Sequence, residues 1–180
     1  MRIHLSVLFN WLLFLAVILV LVILETSFIN VIFPSYLVPD FVTVMVMYVG
    51  MKRGLGEGVL FTFIMAYLYS LNSGLGFIPA SFFQLIVLFL ARYISSNFYV
   101  STAKDFILSI TALVFIQKLI MLMWLNWSNW MLLLSFIPQI VSRTIITAAV
   151  GYFIFRLLYR IDVLTHRIEL ESLEDNRGLI

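Results

Sequence analysis

The sequence predicts an all-α integral membrane protein of six transmembrane helices, and three observations lead there. Of 180 residues, 63% are apolar and only 11% charged, where a soluble domain carries about a quarter charged residues. The mean hydropathy is +1.11. The basic residues fall in alternate gaps between the apolar runs. About 113 apolar residues suffice for five or six spans at ~20 residues each. That arithmetic excludes a large extramembrane domain, a disordered scaffold and a disulfide framework. The absence of cysteine excludes thiolate chemistry and Cys-ligated metals.

The first span covers about residues 5–29, and residues 5–24 contain no formal charge. It is too long for the apolar region of a cleavable signal peptide, and no small-x-small site follows. The second, about 37–51, is short; Pro39-Asp40 stands at its entrance and Lys52-Arg53-Gly54 closes it. Spans three and four, about 55–71 and 77–95, are separated by Asn72-Ser73-Gly74-Leu75-Gly76, a turn signature. Pro79 suits the first turn of the fourth. Gly54 and Gly58 form a Gly-x-x-x-Gly pair that permits close helix approach, a weak dimerisation signal at a turn. The fifth span is about 106–124 and the sixth about 131–155. Pro138 interrupts the sixth, where Gln139 and Ser142 could satisfy the freed carbonyl. Residues 1–158 thus form the membrane domain, and 159–180 a polar cytoplasmic tail. The tail turns from basic to acidic at Glu169, Glu171, Glu174 and Asp175.

Six spans put nine of the 11 basic residues on one side of the bilayer. The opposite loops, about 30–36, 72–76 and 125–130, contain no Lys or Arg. This split predicts that both termini are cytoplasmic. Trp124, Trp127 and Trp130 read as an interfacial aromatic belt on the outer side.

Four ionisable residues lie where lipid is expected: Glu25, Asp40, Lys118 and Arg143. Each costs about 2.5–3.5 kcal/mol or more at a span centre if it faces lipid. All four fall in the outer half of the bundle, so mutual pairing is expected. A plainer reading has Asp40, after Pro39, capping a helix and Lys118 snorkelling to the headgroups. Glu57 is expected at the interface, one helical turn from Lys52 and Arg53. His4 and His166 are the two histidines, both outside the spans, which excludes His-based acid–base or metal chemistry within them. No Gly-x-Ser-x-Gly elbow, phosphate loop or dinucleotide fingerprint occurs, and no filter-like repeat suggests a channel. An enzyme, a cofactor and a nucleic-acid partner are not expected.

Pro39-Asp40, an apolar run, Lys52-Arg53-Gly54, a helix opening with spaced glycines, and Ser73-Gly74-Leu75-Gly76 together resemble the rod shape-determining MreD family. Glu25-Thr26-Ser27 and the Pro138 helix extend the likeness. The chain departs from that pattern at Tyr69-Ser70-Leu71-Asn72, where the family often has an acid. The resemblance implies a non-catalytic scaffold of the bacterial inner membrane, acting in cell shape maintenance and peptidoglycan synthesis by the elongasome. Its implied partners are an MreC-like bitopic protein, the MreB filament, RodA and the transpeptidase paired with RodA. Pro39, Asp40, Lys52, Arg53 and Gly54 are the motif positions, with partner surfaces expected at the 52–54 turn and near Asp40. The MreD fold is similar to that of substrate-binding subunits of energy-coupling-factor vitamin transporters, the alternative function. Such a subunit would need an outward polar pocket, to which Glu25, Asp40, Lys118, Asn126 and Trp127 could contribute. Span one has only Ala16 and lacks the Ala-x-x-x-Ala docking pattern of those subunits.

Overall fold

A computed structural model describes residues 2–29, 34, 37–73, 76–97, 103–125 and 130–165, with side chains at several helix ends undescribed. Helix α1 spans Arg2–Ile23 and continues as a π-helical segment, Leu24–Ile29. Five more follow: α2 Phe41–Lys52, α3 Leu55–Ser73, α4 Phe77–Asn97, α5 Ala103–Leu125 and α6 Trp130–Leu164. Among the described residues, four helices contain stretches long and apolar enough to cross a membrane: Val7–Ser27, Phe77–Asn97, Lys104–Trp124 and Ser135–Leu164. The apolar parts of α2 and α3, Phe41–Lys52 and Leu55–Leu71, are shorter. The chain is therefore a multi-pass membrane protein.

The shortest helix is the centre. Its sequence, FVTVMVMYVGMK, is apolar on all sides, and a helix of that kind must be covered all round. Residues 38–50 are all buried, and α2 touches each of the other five helices. The others have one apolar face inward and another outward. On α1, Phe14, Ile18 and Val22 are buried while Phe9, Leu12 and Leu19 are exposed, as a lipid-facing helix requires.

Small residues set how closely the rods approach α2. A methyl group at Gly50 would stand 2.9 Å from the Leu88 carbonyl oxygen and 3.1 Å from the Ala91 Cβ. At Gly151 it would meet Ile110 Cδ1 at 2.7 Å. A methyl at Gly58 would stand 3.2 Å from Leu88 Cδ1 and 3.7 Å from Val49 Cγ1, whereas one at Gly54 would find nothing within 4 Å. Gly58 thus serves contacts inside the chain. Aromatic rings fill the layer around Tyr48. Phe14 meets Phe61 with centroids 5.0 Å apart, and Phe155 meets Phe106 at 4.2 Å and Tyr48 at 5.7 Å.

Two boundaries differ from expectation. The second helix begins at Phe41, not 37, because proline disfavours helical backbone in the residue before it and Asp40 takes the N-cap position. The last helix does not stop near 155 or 158. It runs to Leu164, 35 residues in all, or about 52 Å at 1.5 Å per residue. Part of the expected tail is therefore a helix packed on the bundle, with Ile161 and Asp162 buried in it and Thr165 buried just beyond its end. Trp124 is exposed and contacts Phe82. Asn126, Trp127, His166, the acidic residues after it and the Trp130 side chain lie outside the described residues.

Candidate functional site

The ends of α2 pose the chemical problem. A helix leaves its first amides and last carbonyls without intrahelical partners, and in lipid no water is at hand to satisfy them. At about 18 Å, α2 is also much shorter than a ~30 Å hydrocarbon layer. The helix is buried in the protein from its start to Gly50, and a polar network closes each end. The distal network lies at its start and the proximal one at its finish.

At the distal end two carboxylates converge on the amides. Glu25, in the π-helical segment, accepts through Oε2 from the Phe41 and Val42 N–H groups at 3.0 and 3.2 Å. Asp40 accepts through Oδ1 from the Thr43 N–H at 3.0 Å. The first three amides of α2 are thus held by acids, at the positive end of the helix dipole. Around them, the Asp40 N–H donates to Thr147 Oγ1 at 3.0 Å, and the Thr43 hydroxyl donates to Gln117 Oε1 at 2.8 Å.

The remaining carboxylate oxygens meet cations. Lys118 Nζ of α5 pairs with Asp40 Oδ2, and Arg143 Nη2 of α6 lies 3.5 Å from Glu25 Oε1. Two acids and two bases make the cluster neutral, so the cost of burying each charge is offset locally. All four residues singled out in the sequence come together here. Asp40 caps and pairs at once, one oxygen for each task. Beside the cluster is a cavity of about 20 Å³ lined by Asp40, Tyr69, Gln84, Gln117 and Lys118. That is room for a water-sized guest, far below the roughly 300–1,000 Å³ of a small-molecule pocket.

The proximal network centres on Asp162 of α6. Its Oδ1 accepts from Arg53 Nη2 at 2.8 Å and from Asn10 Nδ2 at 2.9 Å, and its Oδ2 accepts from the Tyr48 hydroxyl at 2.6 Å. Asn10 Nδ2 also donates to Thr165 Oγ1 at 2.7 Å. The Arg53 guanidinium lies 4.1 Å over the Phe14 ring and 5.3 Å from that of Phe61, a cation–π setting that suits a desolvated Arg. Glu57 adds a longer contact to Arg53 at 3.7 Å. The carbonyls ending α2 are met from α4: Arg92 Nη1 donates to the Arg53 oxygen at 3.0 Å and Ser95 Oγ to the Met51 oxygen at 3.2 Å. Cations therefore gather at the negative end of the dipole, as acids do at the other.

Of the five motif positions, Pro39, Asp40 and Arg53 are buried, while Lys52 and Gly54 are exposed. Asp40 and Arg53 cannot present their charges to a partner, because both are spent inside the chain. Asp162, Tyr48, Asn10 and Thr165 were not singled out in the sequence. A signal for two of them existed: Asn10 and Tyr48 are hydrogen-bonding residues within otherwise apolar runs. Among the described residues no group of His, Asp or Glu could hold a metal ion. No known protein family, curated protein or solved structure matches the chain.

Proposed function

We propose that this chain is a non-catalytic adaptor of the bacterial wall-elongation complex, of the MreD type, with six spans and both termini in the cytoplasm. The observation that carries the reading is the use made of the motif. Its residues, Pro39-Asp40 and Lys52-Arg53-Gly54, bracket α2, and Asp40 and Arg53 serve to close that helix within the bundle. Residues used in this way give a rigid shape for other membrane proteins to grip. They do not face a substrate. In this reading α2 is the second span with its polar ends recessed, and the nine-to-zero distribution of basic residues sets the orientation. The motif is structural, and partners meet exposed faces of the surrounding helices.

Mild-detergent extraction of the tagged chain from its host tests this directly. An MreC-like bitopic protein is expected to co-purify, with cells losing rod shape when the chain is depleted. Absence of both results would defeat the proposal. Thermal stabilisation by a vitamin at micromolar concentration would favour the transporter subunit instead. Orientation is tested by reporter fusions at Trp127 and at residue 180, expected on opposite faces of the bilayer.

A further inference from the structure

An open pocket of about 310 Å³ lies where α2 ends and the last turns of α4 pass it, lined by Gly50, Lys52, Arg53, Arg92, Ser95 and Ser96. Three of these residues are basic, and no acid lines it. The Arg53 guanidinium turns away to Asp162 and the Phe14 ring. The charges left facing the pocket are Lys52 and Arg92, both exposed. Arg92 has one guanidinium nitrogen on the Arg53 carbonyl. Among the described residues neither Lys52 nor Arg92 forms an ion pair with a carboxylate. The Ser95 and Ser96 hydroxyls donate to backbone carbonyls of Met51 and Tyr93, so recognition here is by charge.

The surroundings identify the anion. On α4, Phe89, Arg92, Tyr93 and Ser96 share one stripe at helical spacing, and Phe89 and Tyr93 are exposed. Two uncompensated cations therefore stand beside an apolar face of a membrane helix. A free phosphate would use the cations and leave that face bare. A phospholipid would use both, with its phosphate in the pocket and its chains along Phe89. Basic pockets at membrane helix ends take anionic headgroups in this way. We propose that this pocket binds the phosphate diester of an anionic phospholipid, with Lys52 and Arg92 as its cationic walls. The assignment requires a membrane protein and holds with or without the adaptor role.

The test uses the purified, delipidated full chain in neutral detergent, with bound lipid counted by native mass spectrometry. Phosphatidylglycerol, phosphatidylcholine and inorganic phosphate are each added alone. Phosphatidylglycerol should bind about 25-fold more tightly than phosphatidylcholine, since each of the two basic residues near the headgroup contributes about fivefold. Lys52→Gln should lose about fivefold of that preference, and Lys52→Gln with Arg92→Gln about 25-fold. Because Arg92 also holds a carbonyl at the end of α2, Arg92→Lys serves as the charge-preserving control and should retain most of the binding. Lys52→Gln alone keeps the test decisive if the double variant misfolds. Equal binding of the two lipids overturns the proposal. So does a preference unchanged by Lys52→Gln, or inorganic phosphate that binds as tightly as phosphatidylglycerol.

Discussion

At the distal end of α2 the acids are sealed and the bases lean outward. The side chains of Glu25 and Asp40 are 2% and 3% exposed, while Arg143 and Lys118 keep 24% and 13%. At the proximal end both partners are sealed, Arg53 at 0% and Asp162 at 5%. The two networks do the same work, closing one buried helix, but they differ in what happens if one partner is lost. A long-stemmed base with a partly open path can swing its charge towards headgroups or water. Arg53, held against the Phe14 and Phe61 rings with its side chain fully buried, has no exposed edge from which to swing. Burial of a pair is weak support for stability by itself, whereas breaking one leaves a charge that must go somewhere.

The largest effect is therefore expected at the proximal end. Asp162→Ala removes the carboxylate shared by Arg53, Asn10 and Tyr48 and should cost about 3–5 kcal/mol. Unfolding in mixed micelles with increasing dodecyl sulfate measures it. Adding Arg53→Met should restore much of the loss, since an apolar replacement for a buried pair is often neutral or better. If Asp162→Ala costs no more than its distal counterpart, the contrast between the two ends is wrong.

Glu25→Gln is that counterpart. It keeps an acceptor for the α2 amides while weakening the contact to Arg143, and should cost about 1.5–3 kcal/mol. Gly50→Ala falls in a similar range, about 1–3 kcal/mol of overpacking, because the Leu88 carbonyl at 2.9 Å is backbone and cannot step aside. It should also push α4 away from α2, detectable as faster hydrogen exchange at Met51 and Arg53.

Asp40→Asn separates capping from charge. Asparagine still caps, so the expected loss is about 1 kcal/mol, and Asp40→Ala should add about 0.5–2 kcal/mol for the missing cap. Reversing the pair, Asp40→Lys with Lys118→Asp, should rescue poorly, because it puts a cation at the positive end of the helix. Full rescue would mean that pairing alone matters. The smallest effect belongs to Gly54→Ala, within about 0.5 kcal/mol, since nothing stands within 4 Å.

The same contrast explains what could be read from the sequence. Charges inside apolar runs are conspicuous, so Glu25, Asp40, Lys118 and Arg143 stood out, and Pro39-Asp40 announced a helix start. Which acid meets which base was not legible, because that depends on how α5 and α6 are set against α1. The proximal network was hidden for a different reason. Arg53 sits in a turn that reads as a topology signal, and Asp162 in a stretch that reads as a solvated tail. Asn10 and Tyr48 bear no charge to draw notice. Hydropathy reports the company a residue keeps along the chain, whereas burial depends on neighbours across space. The six helices were legible because each is an apolar run bounded by charges or turn residues along that one-dimensional scale. The central place of α2 was not, since its shortness looked like a poor span and not like a rod enclosed by protein.

The clasp between Arg53 and Asp162 also has a consequence for biogenesis. The two residues are 109 positions apart, and Glu25 and Arg143 are 118 apart. At roughly 5–20 residues per second, a ribosome needs on the order of 5–20 s to deliver the second member after the first. During that interval Glu25 and Arg53 must wait in or beside the insertion machinery without these two partners. The sixth helix brings both Arg143 and Asp162, so the last ionic partner of each end of α2 comes from the same late segment of the nascent chain.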